Sequence, residues 1–581
     1  MEAKDNQKKE VNKVTAKRAK NKASNNGFLI AIRRMIVGFV LLVTAVFTLE
    51  TAKFYVKDDI TDTTNLIINN NNVTARLKQE LILKDDQIYI SVRDIKNFFD
   101  NYIYEEEQID KIITTYGKKI AEIGFDEKVI IINGSSRKIN SSAIKQDEEI
   151  YLPISEMTDV YDIELEYIKE TNIVTMDSLN REQIKAAVSK NVNIKDYSKT
   201  LSRTVDKVKK GEMVIVISQT DDGWTKVRTE NGKIGFVKTK LLVNQITVRE
   251  ELEEKAQIDG KINMFWDYFS EYAKAPDRSG EDIEGVNVVS PAFFYIDSNG
   301  NFKENVGTAG KAYIEWAHDN GYKVWPMVQN AEAGIKVTST ILNDYAKRQE
   351  LIEEIVDVCV EYKLDGINID FENMYEKDKD VFSRFVIELV PRMKEIGIVT
   401  SVDLTAPDGS PTWSLCYDRL VLGNVADYLA FMAYDQYGTS SNKAGTTAGY
   451  NWIETNLVKF LETYEVDSEK IILGIPFYTR IWTETADGTV SSKIVVMQDV
   501  ESNIPDGVQK QWNDKLKQYY VEFKSGSNTK KMWVEDLESI KAKVSLVSKY
   551  NLAGVAAWEK DLEIEGTWEL INSCIRWWRW N

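Results

Sequence analysis

The sequence predicts an α/β fold: a (β/α)8 TIM barrel over residues 255–581, preceded by a small all-β barrel, an α+β repeat domain and an N-terminal transmembrane helix. Three observations carry this expectation. From about Lys261 onward, apolar strand-like runs alternate with helical stretches, the texture of a parallel sheet joined by crossover helices. Eight such runs occur between residues 262 and 558, enough to close a barrel with insertions. Ahead of Lys261 the texture differs: an uncharged run near the start, a two-copy repeat, then short alternating strands with hairpin turns.

Residues 1–34 hold ten Lys/Arg against Glu2, Asp5 and Glu10, and Met35–Leu49 (MIVGFVLLVTAVFTL) follows without a charge. That run is shorter than the roughly 20 residues a spanning helix needs. Arg33 and Arg34 can snorkel to the headgroups and let Phe28–Ile32 (FLIAI) contribute. No A-x-A cleavage site follows. The expectation is a basic cytoplasmic tail over 1–34 and a transmembrane signal anchor over 35–52. The protein would then sit in the cell membrane, single-pass, with its C-terminal domains outside; secretion or spore association is the alternative.

Residues 61–180 repeat. Asp86–Val92 (DQIYISV) is echoed by Glu148–Ile154 (EEIYLPI), and Phe98-Phe99-Asp100 by Val160-Tyr161-Asp162, 62 residues on. Each copy reads as a strand, a short helix and further strands. Residues 184–246 read as a small all-β unit, with alternation in Met213–Ile217 and turn signals at Asp221-Asp222-Gly223 and Asn231-Gly232. The eight barrel strands are expected at 262–269, 286–296, 323–329, 366–371, 399–405, 428–434, 471–477 and 554–558. The stretch Thr485–Val534 is long for one crossover and predicts an inserted hairpin or subdomain before the last strand.

Composition narrows the chemistry. With 43% hydrophobic and 28% charged residues the chain is globular. A net charge of -17, made of +7 over residues 1–34 and -24 over the rest, argues against nucleic acid as a partner of the exported part. One histidine, His318, leaves no multi-His metal site, and Cys359, Cys416 and Cys574 lie too far apart for a CxxC zinc site. No metal or cofactor is expected, and the chain is expected to act as a monomer.

The chemistry concentrates in Asp365–Glu372 (DGINIDFE). On a strand side chains alternate, so Asn368, Asp370 and Glu372 point one way and Ile367, Ile369 and Phe371 the other. In a barrel the apolar set packs under the helices and the polar set faces the axis. Polar groups there are costly unless they hydrogen-bond or do work. Glu372, last in the series, would stand at the C-terminal mouth, where barrel active sites lie.

DGINIDFE resembles the DxxDxDxE signature of glycoside hydrolase family 18, the chitinase-like barrels. Phe431–Asp435 (FMAYD) resembles the family's MxYD at the end of strand six. Ile472–Tyr478 (ILGIPFY) resembles its strand-seven GxPxY, and Gly554–Trp558 (GVAAW) its closing strand with a floor tryptophan. The asparagine variant with an attached wall-binding module is similar to the spore-cortex and germination branch. The repeat at 61–180 resembles the copper amine oxidase N-terminal domain, here a stalk without copper because it holds no histidine or cysteine. Residues 184–246 resemble bacterial SH3 domains, a family that often binds peptidoglycan.

The resemblance implies a retaining glycosidase that uses no enzyme nucleophile, the substrate-assisted exception among glycosidases. The substrate's 2-acetamido oxygen attacks C1. Glu372 serves as acid and then base, Asp370 orients the acetamide, and Tyr434 hydrogen-bonds its oxygen. Trp558 forms the apolar floor, and Asn368, Met432 and Asp435 complete the substrate-binding subsite. Asp370 and partial burial are expected to raise Glu372 above the ordinary carboxyl value near 4.3. Asn368 stands where most of the family has aspartate. Losing that carboxylate predicts an Asp370 that stays ionised and a simpler acid limb. The implied substrate is peptidoglycan or another N-acetylglucosamine polymer. A sugar-binding surface protein without activity, or a chitinase, are the alternatives.

Overall fold

The computed structural model describes residues 63–250 and 258–576. The expected anchor at 35–52 lies outside the described residues. Among the described residues no helix is long and apolar enough to cross a membrane. The described residues divide into two compact units, one of 63–82 with 162–250, the other of 83–161 with 258–576. The second copy of the repeat is therefore shared between them.

In the first unit, Ile163–Ile168 and Ile173–Ser178 form a hairpin, and Asn65–Ile68 lies parallel to its second strand. Residues 183–249 form a seven-stranded antiparallel sheet around Val188, Ile194, Val214, Val227 and Val237. Trp224 is buried and Phe236 half-buried. Arg228 grips both oxygens of the buried Asp177 with two guanidinium nitrogens, the bidentate geometry that makes such pairs strong.

The second unit contains the barrel. Its strands are β1 (Ile262–Asp267), β2 (Val288–Pro291, resumed at Phe294–Ile296) and β3 (Lys323–Val324, resumed at Met327–Gln329). Next come β4 (Gly366–Asp370), β5 (Val399–Leu404), β6 (Tyr428–Met432), β7 (Ile471–Pro476) and β8 (Gly554–Trp558). Every neighbouring pair is parallel, and β8 pairs with β1 to close the cylinder. All eight strands read from the sequence are present. The break in β3 falls at Trp325-Pro326, where proline has no N–H for the ladder. At the closing seam a Cβ on Gly554 would stand 2.0 Å from the Ile262 carbonyl oxygen, so only glycine lets β8 approach β1.

The insertion between β7 and β8 is a five-stranded antiparallel sheet with its own core of Ile481, Val495, Val521 and Met532. It begins at Tyr478, one strand earlier than the sequence predicts, because the chain leaving β7 runs straight into its first strand, Tyr478–Glu484.

Residues 83–161 belong to the barrel's unit and bring a hairpin, Lys111–Tyr116 with Lys119–Gly124, to helices α1 (Tyr345–Glu361) and α2 (Lys379–Glu395). The joint is ionic and dry. Arg348, 2% exposed, donates to Glu388 at 2.8 Å, to Glu106 at 3.2 Å and to the Leu342 carbonyl at 2.9 Å. Tyr104 donates to Glu388 at 2.6 Å. A buried pair of this kind contributes little net stability, but removing one member strands the other. Arg348→Ala is therefore expected to destabilise this unit by about 3–5 kcal/mol, read as a lowered urea midpoint; an unchanged midpoint would refute the joint.

Candidate active site

The alternation on β4 holds. Phe371 turns outward and stacks on Phe385 at 5.6 Å and Phe382 at 6.0 Å, both on α2. Ile367 and Ile369 are fully buried. This apolar anchorage forces Asn368 and Asp370 toward the axis and carries Glu372 to the mouth. The backbone there is clamped. Asn330 accepts from the Glu372 N–H at 2.8 Å and donates to its carbonyl at 2.9 Å. The Tyr417 hydroxyl donates to the Phe371 carbonyl at 2.8 Å. The chain then turns away through Asn373, at φ +50°, a left-handed conformation that asparagine tolerates better than most residues. Asp365, first residue of the motif, lies at the opposite end of β4. It accepts from Lys323 at 2.7 Å and the Val324 N–H at 3.1 Å, and pairs with His318 at 2.9 Å, so the lone histidine stands away from the mouth.

A cleft of about 380 Å³ opens at the mouth, lined among others by Asp370, Glu372, Met432, Tyr434, Asp435 and Trp558. That volume lies in the range of small-ligand sites. Trp558 packs against Trp266 at 6.0 Å and Tyr268 at 5.9 Å, which extends an aromatic wall beside the carboxyls. Asp435, at φ +55°, accepts from the Tyr478 hydroxyl at 2.8 Å.

Of the seven residues singled out from the sequence, six line this cleft. Asn368 does not. It is fully buried beneath Asp370, with its amide spent on protein partners, so the expected substrate contact at this position is corrected to a supporting one.

Burial sets the electrostatics. Asp370 is 8% exposed; its Oδ2 accepts from Gln329 at 3.0 Å and its Oδ1 has no hydrogen-bond partner. Desolvation pushes its carboxyl up to about 6. Glu372 is held well above the usual range, first by burial and then by the charges of Asp370 and Asp435. Asp403 on β5, 2% exposed, is raised by burial and by Asp370, while the hydrogen bond from Asn368 opposes the rise.

Asp403 went unnoticed in the sequence, together with Gln329, Asn330 and Trp266. Its signal was present: β5 shows the same period-two polarity as β4, in Ser401, Asp403 and Thr405. Asp403 supplies, one strand away, a carboxyl of the kind absent at 368.

A parallel eight-stranded barrel with raised, paired carboxyls beside an aromatic wall at its C-terminal mouth defines a glycosidase-type site. The family profile agrees. The profile of glycosyl hydrolases family 18 matches residues 261–563, more than half of the chain, and the protein belongs to that family. The copper amine oxidase N-terminal domain profile matches residues 67–176. An uncharacterized glycosylase of Bacillus subtilis, YvbX, is 25% identical over 299 residues, 49% of this chain and 84% of that protein. The cortical fragment-lytic enzyme of the same organism is 25% identical over 40% of this chain, which spans about half, 54%, of that relative. Among solved structures, a chitinase from Chromobacterium violaceum is 21% identical, with a TM-score of 0.48 over 55% of this chain and 99% of that one.

The raised Asp370 has a cost for the fold. The unfolded carboxyl ionises near 3.8 and the folded one near 6, so stability is full below pH 4 and falls as pH rises through 6. Asp370→Asn removes this penalty. It is expected to raise stability by about 1–3 kcal/mol at pH 8, with the gain vanishing near pH 4. Denaturant unfolding at both pH values checks it; equal gains at both would refute the cause.

Proposed function

We propose that this protein hydrolyses N-acetylglucosaminyl bonds of peptidoglycan or spore cortex by retaining, substrate-assisted catalysis. The observation that carries the proposal is the placement of Glu372 in a sugar-sized cleft, beside Asp370 and facing Tyr434 and Trp558. The sugar sits with its apolar face on Trp558, whose ring suits the CH groups of a pyranose. Asp370, ionised, accepts from the substrate amide N–H and turns the acetamide oxygen toward C1. Tyr434 donates to that oxygen. Glu372, whose proton is held more tightly by burial and its anionic neighbours, gives that proton to the leaving oxygen. The acetamide closes on C1, and Asp370 balances the oxazolinium charge. Glu372, now a base, draws a proton from water, which opens the ring with overall retention.

The choice of wall polymer over chitin rests on the relatives, among them the cortical fragment-lytic enzyme, and on the modules ahead of the barrel. In this reading residues 1–52 anchor a monomeric enzyme to the cell membrane. The same reading takes 61–180, 184–246 and 255–581 as the modules, with the seven-stranded sheet as the wall-binding part.

On a chromogenic N-acetylglucosamine oligomer the full chain is expected to turn over, and Glu372→Gln to lower kcat by about 10²–10⁴-fold. Mass spectrometry of digested peptidoglycan and cortex is expected to show fragments ending in reducing N-acetylglucosamine. Fragments ending in reducing muramic acid would overturn the bond assignment.

A further inference from the structure

We infer that Asp403 is a positioning residue for Asp370: it holds a proton against the inner face of Asp370, so that Asp370 stays an anion turned toward the substrate amide. This rests on the glycosidase reading of the same cleft.

The geometry starts from register. Asn368 is level with Ser401 and Ile369 with Val402, so the next pair up the barrel is Asp370 with Asp403. Both side chains face the interior and both line the cleft. Asn368 fixes the direction of the hydrogen bonds below them. Trp266 can only donate, so the Asn368 oxygen must accept from it, at 2.9 Å. The amide nitrogen then donates to Ser401 at 2.9 Å and to Asp403 at 2.6 Å. Both amide hydrogens are spent, and none is left for Asp370. Gln329 serves one oxygen of Asp370, and the other is buried without a donor. A buried acceptor in that position calls for a donor, and a protonated Asp403 on the next strand is one.

The groups facing Asp403 leave no other way to balance charge. They are Asp370 and the Asn368 amide on β4, Glu372 just beyond it, the Trp266 N–H from β1 and the Tyr434 hydroxyl beyond β6. No lysine or arginine is among the described residues lining the cleft. Two nearly buried carboxyls with no cation beside them resist ionising together, so the pair keeps one proton. The substrate amide N–H favours the anion on Asp370, which leaves the proton on Asp403.

The test is the pH profile of kcat/KM for the full chain on the chromogenic oligomer, in wild type, Asp403→Asn and Asp403→Leu, with Glu372→Gln as reference and thermal unfolding to verify folding. Asparagine reproduces the protonated carboxyl as a donor but has no proton to lose. Asp403→Asn is expected to keep kcat within about tenfold of wild type, with its alkaline limb moved to higher pH. Asp403→Leu, equally folded, is expected to lose at least a further tenfold. If Glu372→Gln is inactive while Asp403→Asn and Asp403→Leu behave alike, or Asp403→Asn keeps the wild-type alkaline limb, the Asp403 assignment is overturned and the glycosidase reading stands. If Glu372→Gln turns over like wild type, the reading fails and the assignment with it.

Discussion

Carboxyl groups in the interior of a closed barrel are held only by what their neighbours supply, and this constraint orders the rest of the structure. Asp370 and Asp403 are almost wholly withdrawn from water, so each depends largely on hydrogen bonds from adjacent strands or on a proton. Gln329 on β3, Asn368 on β4 and Trp266 on β1 point their donors inward to that cluster. The parallel register between neighbouring strands brings these groups to adjacent levels, which no single segment could do. The site is thus a property of barrel closure, and the seam where Gly554 meets Ile262 is part of it.

The same constraint links stability to chemistry. Phe371 stacks under α2 while Glu372, one residue on, stands in the cleft. Packing energy on the outer face holds an uncomfortable cluster of acids on the inner one. Asn330 and Tyr417 clamp the main chain between them, so the glutamate is presented by a fixed backbone. Sites built this way give up folding stability for raised carboxyl groups, a common exchange in enzymes.

The barrel was legible in the sequence because its signals are local: apolar runs of strand length, helices between them, and a period-two polar series on β4. All eight strands, with Asp370 and Glu372 at the cleft, followed from that, whereas Met432, Tyr434, Asp435 and Trp558 came only with the motifs that resemble the family. Asn368 was misplaced because alternation tells which face a residue takes but not how deep it sits. Asp403 was missed for a related reason. Its strand carries the same polar alternation, yet its significance depends on which level of β4 it meets, and register across strands is not written in either segment. The joint between Arg348, Glu106 and Glu388 was equally invisible, since its members lie 242 and 40 residues apart.

In the proposed mechanism the substrate's own acetamide, held by Asp370, replaces an enzyme nucleophile while Glu372 moves the proton. Proton NMR of the first product released from a β-linked N-acetylglucosamine oligomer, recorded before mutarotation, tests it most directly. The expected result is the β-anomer, formed with retention. Initial release of the α-anomer would mean direct attack by water and would contradict the mechanism.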